Sequence, residues 1–504
     1  MPDEPRRLNR ASLGILLILL LLAGSARLWG LGDDSLWNNE ILSHERATQA
    51  TLSEAYALIR PGTHPPLYPL GVLRPWLQFG DSEWMQRFPS VVFGLLTLWL
   101  CFRLGRYAFS TRVGLIAAGV LVALPLHLYY SREGRMYALL ALLVALWTAA
   151  LVHAMNRNRL QDWAVYALTA AASLYCHYYA GLSLLAAGVF TGGYLLAFRR
   201  ERRLLLRWLG ANLAALLLFL PWLPTLWFQL HNDPVSHLKA LPADGVLLLP
   251  IQFFTLFERV SPLLSGVVGL AIGVLTLAGL RITMRSADGV RRYTHGLLLA
   301  IVAGTVLIAA LVSLLKPIIF IRYFVGVLPA FALLMAAGLD RGFGARGSAI
   351  SASLVQRGGL AVSVGALVVL LLVSVGTSRT VLTEAWRPDF KTPTQILLNQ
   401  GRPGDRVLLF APQGTPFSMI GFDYYYRAPM PVETDYGPRP VGQKLLSALN
   451  RDRSGEASVV WVVQHQQVKR LQPPEGYEVT FRERYTTRFF QRKNRISLTR
   501  LERQ

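Results

Sequence analysis

The sequence has few charged residues and almost no cysteine. Asp, Glu, Lys and Arg make up 16% of its 504 residues, whereas soluble domains carry about 25%. So little charge excludes an intrinsically disordered chain and a coiled coil, both of which are rich in charged residues. The two cysteines, Cys101 and Cys176, lie in or beside apolar segments. They are too few for a disulfide framework or a cysteine-based zinc site.

In place of charge the chain has long apolar runs, and 53% of its residues are Ala, Val, Ile, Leu, Met, Phe, Trp, Tyr or Cys. A run of about 20 apolar residues is long enough to cross the hydrocarbon core of a bilayer. The pattern therefore indicates an all-α polytopic membrane protein. We predict eleven transmembrane helices, near residues 11–29, 89–106, 112–128, 136–155, 163–176, 179–198, 204–221, 262–280, 296–315, 323–339 and 358–377.

The formal net charge of +22 comes from arginines that collect in every second connection between these spans. Because Lys and Arg are enriched in cytoplasmic loops, this alternation predicts a cytoplasmic N-terminus and an extracytoplasmic C-terminus. We expect a multi-pass protein of the cytoplasmic membrane. Topology accounts for the basic charge, so the bilayer is an expected partner and nucleic acid is not.

Three segments are too polar to span the membrane: residues 30–88, 224–261 and 380–504. In the first, Thr51 and Glu54 form a capping box before an amphipathic helix, which Pro61 and Gly62 end. An apolar stripe suggests that this helix lies on the outer membrane surface. The chain thus divides into a transmembrane domain (1–379) and a small α/β domain outside the cytoplasm (380–504).

The last domain is predicted from a helix-like stretch and several β-branched runs. The expected helix covers residues 389–400, and a Pro-Gly-Asp turn follows it. The expected strands cover residues 406–411, 457–463, 477–482, 487–490 and 495–501.

The centres of the predicted spans carry no Asp, Glu, Lys or Arg. A charge at that depth is costly and usually marks an ion or substrate pathway, so its absence argues against an ion-coupled transporter. Polar residues collect instead at the outer ends of the spans, which predicts one site at the outer membrane surface. They are Asp33, Asp34, Asn39, Glu40, His64, Arg87, Arg132, Glu133, Arg135, His177, Tyr178, Tyr179, Lys316 and Arg322.

The segments that carry these residues resemble those of glycosyltransferase family 39. This family belongs to the GT-C membrane glycosyltransferases, as do the protein O-mannosyltransferases and the lipid A aminoarabinose transferases. The resemblance covers most of residues 30–340. It implies a GT-C fold and the inverting transfer of a sugar from a polyprenyl-phosphate carrier to a glycan, lipid or protein acceptor outside the cytoplasm. The matching segments are Ser35–Glu40, His64–Tyr68, Ser82–Ser90, Tyr130–Tyr137, His177–Tyr179, Lys316–Pro317 and Arg322–Tyr323.

The chemistry of such a transfer accounts for these residue types. A lipid phosphate leaving group needs fixed cations, and arginine suits phosphate oxygens. The acceptor hydroxyl needs a base, which is usually a carboxylate. The catalytic candidates are Glu40, Asn39 and Glu133. The candidates for substrate binding are His64, Arg87, Arg132, Arg135, Tyr137, His177, Tyr178, Lys316, Arg322 and Tyr323.

One position departs from the family pattern. The resemblance places the base in an Asp-Glu pair, and Asn39 stands at the Asp position. An amide is not a useful base, so Glu40 activates the acceptor hydroxyl or orients the group that does, and Asp33 or Asp34 is an alternative base. Another interpretation is that Asn39 and Glu40 only cap a helix, and that the protein is a non-catalytic relative that binds the carrier. A lipid-carrier flippase is a further alternative.

Several other residues have a structural alternative. Arg132, Arg135, Lys316 and Arg322 are also suited to anchoring at the membrane interface, and Arg87 to an ion pair with Glu83. No cofactor is predicted. A divalent ion held by His64, Glu133 and His177 is an alternative, although no short ligand spacing supports it.

Overall fold

A computed structural model describes residues 8–232, 248–256, 261–284, 286–340, 354–384, 386–410, 417–426, 432–435, 459–465, 472–473, 477–489 and 492–503. The chain forms two compact units. The first unit comprises Met1–Leu31, Glu45–Asp81 and Met85–Leu382. The second comprises Gly32–His44, Ser82–Trp84 and Thr383–Gln504.

The described part of the chain is mostly helical. In chain order the α-helices are α1 (Arg10–Leu28), α2 (Asn38–Thr48), α3 (Leu52–Ile59), α4 (Arg74–Trp76), α5 (Glu83–Ala108), α6 (Thr111–Ala123), α7 (Pro125–Tyr130), α8 (Tyr137–Arg157), α9 (Leu160–Cys176), α10 (Tyr179–Tyr194), α11 (Arg202–Phe219), α12 (Leu223–His231), α13 (Leu249–Thr255), α14 (Pro262–Met284), α15 (Gly289–Leu299), α16 (Thr305–Ser313), α17 (Leu328–Ala337), α18 (Leu354–Thr383), α19 (Lys391–Gln400) and α20 (Phe417–Tyr425). π-helical turns cover Leu67–Leu73, Leu195–Arg199 and Ala300–Gly304, and 3₁₀ turns cover Leu77–Phe79, Leu220–Trp222 and Ile321–Val327.

Side-chain caps explain where several of these helices begin. Asn9 accepts a hydrogen bond from the N–H of Ser12 at the start of α1, and Ser110 accepts one from Val113 at the start of α6. The Thr51–Glu54 capping box of α3 is present, which confirms the helix predicted there.

Helix α8 is the central helix of the first unit. In the most apolar 18-residue stretch of α8, 89% of the residues are buried, whereas in the corresponding stretch of α1 only 17% are buried. A helix that is apolar and buried all round lies in a core, and one that is apolar and exposed fits contact with lipid. Residues at the N-terminal end of α8 are therefore surrounded by protein on several sides.

Helices α5 and α6 cross at two glycines. A Cβ atom on Gly105 would lie 2.7 Å from the Cα of Gly114, and one on Gly114 would lie 2.5 Å from the carbonyl oxygen of Phe102. Small residues at such crossings let two helix backbones approach closely in a membrane. The glycines thus allow α5 and α6 to pack closely against each other.

The multi-pass membrane architecture agrees with the sequence prediction. Among the described residues, eight helices are long and apolar enough to span a membrane, and two shorter apolar helices cover Thr111–Ala123 and Ile321–Ala337. Each of the eleven predicted spans lies largely on helix, but the number eleven is not confirmed. One boundary was wrong: the helical segment Arg202–His231 runs past residue 224, where a loop was expected. The 3₁₀ turn Leu220–Trp222 carries the helix through Pro221.

The second unit contains a five-stranded mixed sheet. Its strands are β1 (Arg406–Phe410), β2 (Val432–Asp435), β3 (Val459–His465), β4 (Tyr477–Phe489) and β5 (Arg492–Arg503), in the order β2-β1-β3-β5-β4. Strand β1 pairs in parallel with β2 and β3, whereas β5 pairs antiparallel with β3 and β4. The predicted small α/β fold is thus observed. The runs 477–482 and 487–490 were expected to be separate strands, but Tyr477–Phe489 form one strand. Residue 490, like residues 411, 457 and 458 of the other predicted strands, lies outside the described residues.

One face of this sheet packs on helices α19 and α20. The buried cluster includes Trp461, Val407 and Leu498 from the strands and Leu397 and Phe422 from the two helices. Phe422 belongs to the aromatic run at residues 422–426, and its side chain is fully buried. Burial of this ring in a core leaves it unavailable for stacking on a sugar.

Candidate functional site

Four separate segments of the first unit bring polar and aromatic side chains together. His64 follows α3 in a Pro-rich turn, and Arg135 lies in the turn between α7 and α8. His177 is the C-cap of α9, and Arg322 with Tyr323 lies in the 3₁₀ turn before α17. We refer to His64, Arg135, Tyr137, His177, Arg322 and Tyr323 as the cationic cluster.

The rings of the cationic cluster are in contact. The ring centroids of His64 and His177 are 5.0 Å apart, and those of His177 and Tyr323 are 4.9 Å apart. Tyr137 lies 6.0 Å from His177, and the guanidinium carbon of Arg322 lies 5.3 Å from the centroid of the Tyr323 ring. Residues more than 250 positions apart in the sequence therefore form one group, as the single outward-facing site requires.

Several polar atoms of the cationic cluster are buried without a partner. The Nδ1 atom of His64, the Nε2 atom of His177 and the Nε atom of Arg322 have no hydrogen-bond partner among the described residues. A buried polar atom that makes no hydrogen bond costs about 1–3 kcal/mol. Such atoms are expected where a ligand or ordered water completes the bonding.

The backbone fixes the tautomer of His177. The N–H of Tyr179 donates to Nδ1 of His177 over 3.1 Å, so in the neutral ring the proton is on Nε2. The unpartnered Nε2 atom is therefore a hydrogen-bond donor, and its natural partner is an acceptor oxygen.

The electrostatic environment keeps both histidines neutral. Burial, followed by the positive charges of Arg135 and Arg322, lowers the pKa of His177 to about 3. Burial and the neighbouring His177, Arg135, Arg322 and Arg46 lower the pKa of His64 well below its usual value. Such an environment repels further positive charge and favours an anion.

Arg46 completes this environment and was not predicted from the sequence. It lies on α2, and its guanidinium approaches Gly62, where a Cβ atom would be 2.9 Å from Nη2. Burial and then repulsion by Arg135 lower the pKa of Arg46 to about 10. In the sequence, Arg46 is one of several charged residues in a polar helix, and no sequence feature indicates that its side chain faces the site.

Glu133 lies in the same turn as Arg135, and 5% of its surface is exposed. Burial raises the pKa of Tyr130 well above its usual value, and the negative charge of Glu133 adds to the effect. Tyr130 packs on Tyr137 with 4.8 Å between ring centroids. Glu133 thus lies beside the aromatic residues of the cationic cluster.

Two of the predicted binding arginines contact backbone carbonyl groups. Nη1 of Arg132 donates to the carbonyl oxygens of Ala26 at 2.8 Å and Trp29 at 2.6 Å, at the C-terminus of α1. Such carbonyls lack partners within the helix, so Arg132 caps α1. Arg87 is fully buried and donates to the carbonyl oxygen of Leu31 over 2.9 Å.

Tyr178 and Lys316, two further predicted binding residues, also belong to the first unit. The Tyr178 hydroxyl donates to Oε1 of Gln229 over 2.5 Å and accepts from Nε1 of Trp222 over 2.9 Å. It therefore faces the Arg202–His231 segment rather than the histidine pair. Lys316 is half-buried in the turn between α16 and the 3₁₀ turn that holds Arg322.

Glu40 belongs to the second unit, where it is completely buried. Its Oε2 atom accepts a hydrogen bond from the N–H of Trp37 over 2.9 Å, which is the capping geometry that the sequence left as an alternative. The same Oε2 atom lies 3.4 Å from Nε of Arg387. Asn39, beside it, is half-buried near the start of α2.

In the described part of the chain, no three His, Cys, Asp or Glu side chains are grouped so that they could hold a metal ion. His64, Glu133 and His177 are thus not grouped in that way. The unpartnered groups are mostly donors, which suit an anion better than a cation.

Comparisons with known proteins agree with this geometry. Residues 63–227 match the family model described as dolichyl-phosphate-mannose-protein mannosyltransferase. None of the curated proteins matches the sequence significantly.

Solved structures share the fold over almost the whole chain. The apo crystal structure of ArnT from Cupriavidus metallidurans has a TM-score of 0.58 at 14% identity, and the match covers 97% of this chain and 98% of that one. The same protein bound to undecaprenyl phosphate has a TM-score of 0.55 at 13% identity, with 96% and 98% covered. AglB, the oligosaccharyltransferase of Archaeoglobus fulgidus, in complex with an inhibitory peptide and a dolichol-phosphate, has a TM-score of 0.51 at 12% identity, with 90% and 69% covered. The predicted resemblance to the GT-C membrane glycosyltransferases is therefore confirmed, by the fold over nearly the entire chain and by the mannosyltransferase family model over residues 63–227.

Proposed function

We propose that this protein is a membrane glycosyltransferase that moves a sugar from a polyprenyl-phosphate donor to an acceptor outside the cytoplasm. The observation that carries the proposal is the cationic cluster. Three of its buried polar atoms, on His64, His177 and Arg322, have no hydrogen-bond partner among the described residues, and Arg135 adds a second positive charge. ArnT, whose fold this chain shares, has been solved with undecaprenyl phosphate bound. The family model that matches residues 63–227 is named for a dolichyl-phosphate-linked donor.

The cationic cluster suits the phosphate of such a donor. Arg135 and Arg322 supply positive charge, and the Nε2–H group of His177 supplies a neutral donor. As the bond between sugar and phosphate breaks, negative charge grows on the phosphate, and donors fixed in a buried site stabilise that charge most. The N-terminus of α8, which begins at Tyr137, adds the positive end of a helix dipole.

The aromatic residues and Glu133 suit the sugar. Tyr323 and Tyr137 lie beside His177, and Tyr130 packs on Tyr137. Glu133 supplies an acceptor for sugar hydroxyls. We assign Glu133 to sugar binding, with a role as second carboxylate in the transfer.

The acceptor hydroxyl is activated from residues 30–88, which we call the first outer loop. Glu40 is buried and ion-paired, so we assign it to orienting the loop. Asn39 then contacts the acceptor, and Asp33, whose side chain is exposed in the same loop, is the carboxylate free to take up the proton. The reaction requires this side of the membrane to be extracytoplasmic, as the distribution of arginines predicts.

The test measures sugar transfer and carrier binding separately. Membranes containing the protein receive undecaprenyl-phosphate-linked mannose, glucose or N-acetylglucosamine with a labelled sugar, and binding of undecaprenyl phosphate is measured by native mass spectrometry. We expect Arg322→Ala and Arg135→Ala each to lower transfer by about 10²-fold and to weaken carrier binding. Arg159→Ala, an exposed arginine at the predicted inner surface, is the matched control. Wild-type transfer in both cluster variants would refute the assignment.

A carrier-binding relative without activity is the second candidate, and Asn39 is the observation that favours it. It predicts that the wild-type protein binds undecaprenyl phosphate but transfers no labelled sugar from any donor. A flippase would move the labelled lipid across the bilayer of a vesicle instead.

A further inference from the structure

A short segment after α18 contacts three parts of the first outer loop, all within the second unit. We call residues 387–391 the strap. Three of its five residues bear charged side chains that contact the loop: Arg387, Asp389 and Lys391. Since the loop contains the residues assigned to the acceptor, the strap adjoins the catalytic loop rather than a remote surface.

The first contact joins Arg387 to Glu40. The Nε atom of Arg387 lies 3.4 Å from Oε2 of Glu40, and the two side chains are 8% and 0% exposed. The same carboxylate oxygen accepts the N–H of Trp37. An ion pair removed from water in this way is held in one geometry, and loss of one partner leaves the other charge buried and uncompensated.

The second contact joins Asp389 to Ser35. The Ser35 hydroxyl donates to Oδ1 of Asp389 over 3.0 Å and accepts the N–H of Lys391 over 3.0 Å. The side chain of Ser35 is thereby held from two directions at the residue where the loop motif begins.

The third contact joins Lys391 to Glu83, at the other end of the outer loop. Nζ of Lys391 lies 2.9 Å from Oε1 of Glu83. The hydroxyl of Tyr425 donates to the same Oε1 atom over 3.2 Å and accepts the N–H of Leu36 over 2.7 Å. Glu83, which the sequence suggested as a partner of Arg87, is thus engaged by the C-terminal part of the chain.

We propose that Arg387 is a positioning residue for sugar transfer, and that the strap holds the loop Ser35–Glu40 in the conformation that meets the acceptor. The inference rests on the proposed function, in which this loop activates the acceptor hydroxyl. Arg387 acts through Glu40 and touches neither sugar nor carrier. The loop contacts come from both the start and the end of the strap, so the loop is fixed as a unit rather than at one point.

Turnover gives the first test, with the labelled undecaprenyl-phosphate donors described above. We expect Arg387→Gln to lower kcat by about 10- to 100-fold, because small displacements of reacting groups have effects of that size. The affinity for undecaprenyl phosphate stays within about twofold of wild type, since donor binding does not involve the loop. Arg387→Lys restores part of the rate. The double variant with Glu40→Gln is no slower than Glu40→Gln alone, since both changes break one interaction.

A matched control is available in the same sheet-containing unit. Arg500 lies 2.9 Å from Glu502 in strand β5, and both side chains are half-buried, so this ion pair is more exposed than that of Arg387 and Glu40. Arg500→Gln removes an ion pair from the same unit without touching the loop, and we expect the wild-type rate. A rate loss in Arg500→Gln equal to that in Arg387→Gln would show a general loss of stability and overturn the positioning role.

Hydrogen exchange separates failure of this inference from failure of the proposed function. We expect exchange in peptides that cover residues 35–44 to be about tenfold faster in Arg387→Gln than in wild type or Arg500→Gln, because the strap contacts restrain local opening. Unchanged exchange in Arg387→Gln overturns the inference, whatever the activity. Faster exchange in a protein that transfers none of the sugars supports the strap and counts against the transferase assignment alone.

Discussion

At the residue scale, the neutral state of His177 makes the stability of the protein depend on pH. Its pKa is about 3 in the folded state because of burial and the nearby arginines, and about 6.5 in the unfolded chain. Between these values the unfolded state binds a proton that the folded state does not. Stability is therefore fully present above pH 6.5 and falls as the pH decreases, by up to about 1.4 kcal/mol per pH unit.

We expect His177→Gln to flatten this dependence. The Tm of the purified protein in detergent, measured from pH 7.5 to 5, should fall less steeply in the variant than in wild type. His231→Gln removes an exposed histidine and should leave the slope unchanged. Equal slopes in His177→Gln and wild type would show that the ring is not held neutral by its surroundings.

Asn39 supplies a gain-of-function prediction. A carboxylate at this position restores the base of the family pattern, and a well-placed base contributes about 10²–10⁴-fold. We expect Asn39→Asp to increase sugar transfer at least tenfold, because position 39 contacts the acceptor in the proposed site. Asn38→Asp, one residue earlier, is the control and should give no gain. Intact carrier binding with no gain in Asn39→Asp would exclude position 39 from the proton transfer.

Motifs predicted part of the candidate site at this scale. His64, Arg135, His177 and Arg322 were selected because they stand at the outer ends of apolar spans, and the structure brings them into one cluster. Arg46 and Arg387 were not selected, since an isolated arginine in a polar helix or tail has no sequence feature that indicates its partner. The contact of Arg132 with the end of α1 could not be predicted from the sequence. The carbonyl groups that it caps come close to it only when α1 and the α7–α8 turn are folded together.

At the element scale, the crossing of α5 and α6 predicts a strong effect of one methyl group. A Cβ atom on Gly114 would meet the backbone oxygen of Phe102 at 2.5 Å and the backbone nitrogen of Arg106 at 3.1 Å, and neither atom can move without displacing a helix. We expect Gly114→Ala to destabilise the protein by about 1–3 kcal/mol. The Tm in detergent measures the effect.

Gly188 provides the matched control for this substitution. It lies within α10, and a Cβ atom there would meet nothing within 4 Å. Since alanine is a better helix former than glycine by about 1 kcal/mol, Gly188→Ala should keep or raise the Tm. A similar loss of Tm in both variants would contradict the close crossing of α5 and α6.

Elements were easier to predict than their boundaries. Hydrophobic run length identified the spans, because a membrane-crossing helix needs about 20 apolar residues whatever its neighbours. The predicted end of the span at residue 221 was wrong. Proline usually ends a helix, but here a 3₁₀ turn at Leu220–Trp222 joins α11 to α12. Hydrophobic run length also split strand β4 in two, because the polar residues between its halves lie within a continuous ladder with β5 that depends on pairing rather than on hydrophobicity.

At the scale of the whole molecule, the arginine distribution predicts a defined orientation. Asp81 and Arg159 are both exposed and lie on opposite sides of the proposed topology. In intact cells, a membrane-impermeant maleimide should label Asp81→Cys, whereas Arg159→Cys should require lysis. The native thiols of Cys101 and Cys176 are buried, which keeps the background low. Labelling of Arg159→Cys in intact cells would reverse the orientation and remove the extracytoplasmic site.

The composition of the second unit limits how this protein can be dissected. Gly32–His44 and Ser82–Trp84 belong to it although more than 290 residues separate them from Thr383. A fragment that begins at Thr383 would lack Gly32–His44 and Ser82–Trp84, which are part of the same compact unit. In a chimera that exchanged only that segment with a relative, this unit would contain residues from two different proteins packed against each other. Grafting acceptor preference between such proteins therefore requires all three pieces to be exchanged together.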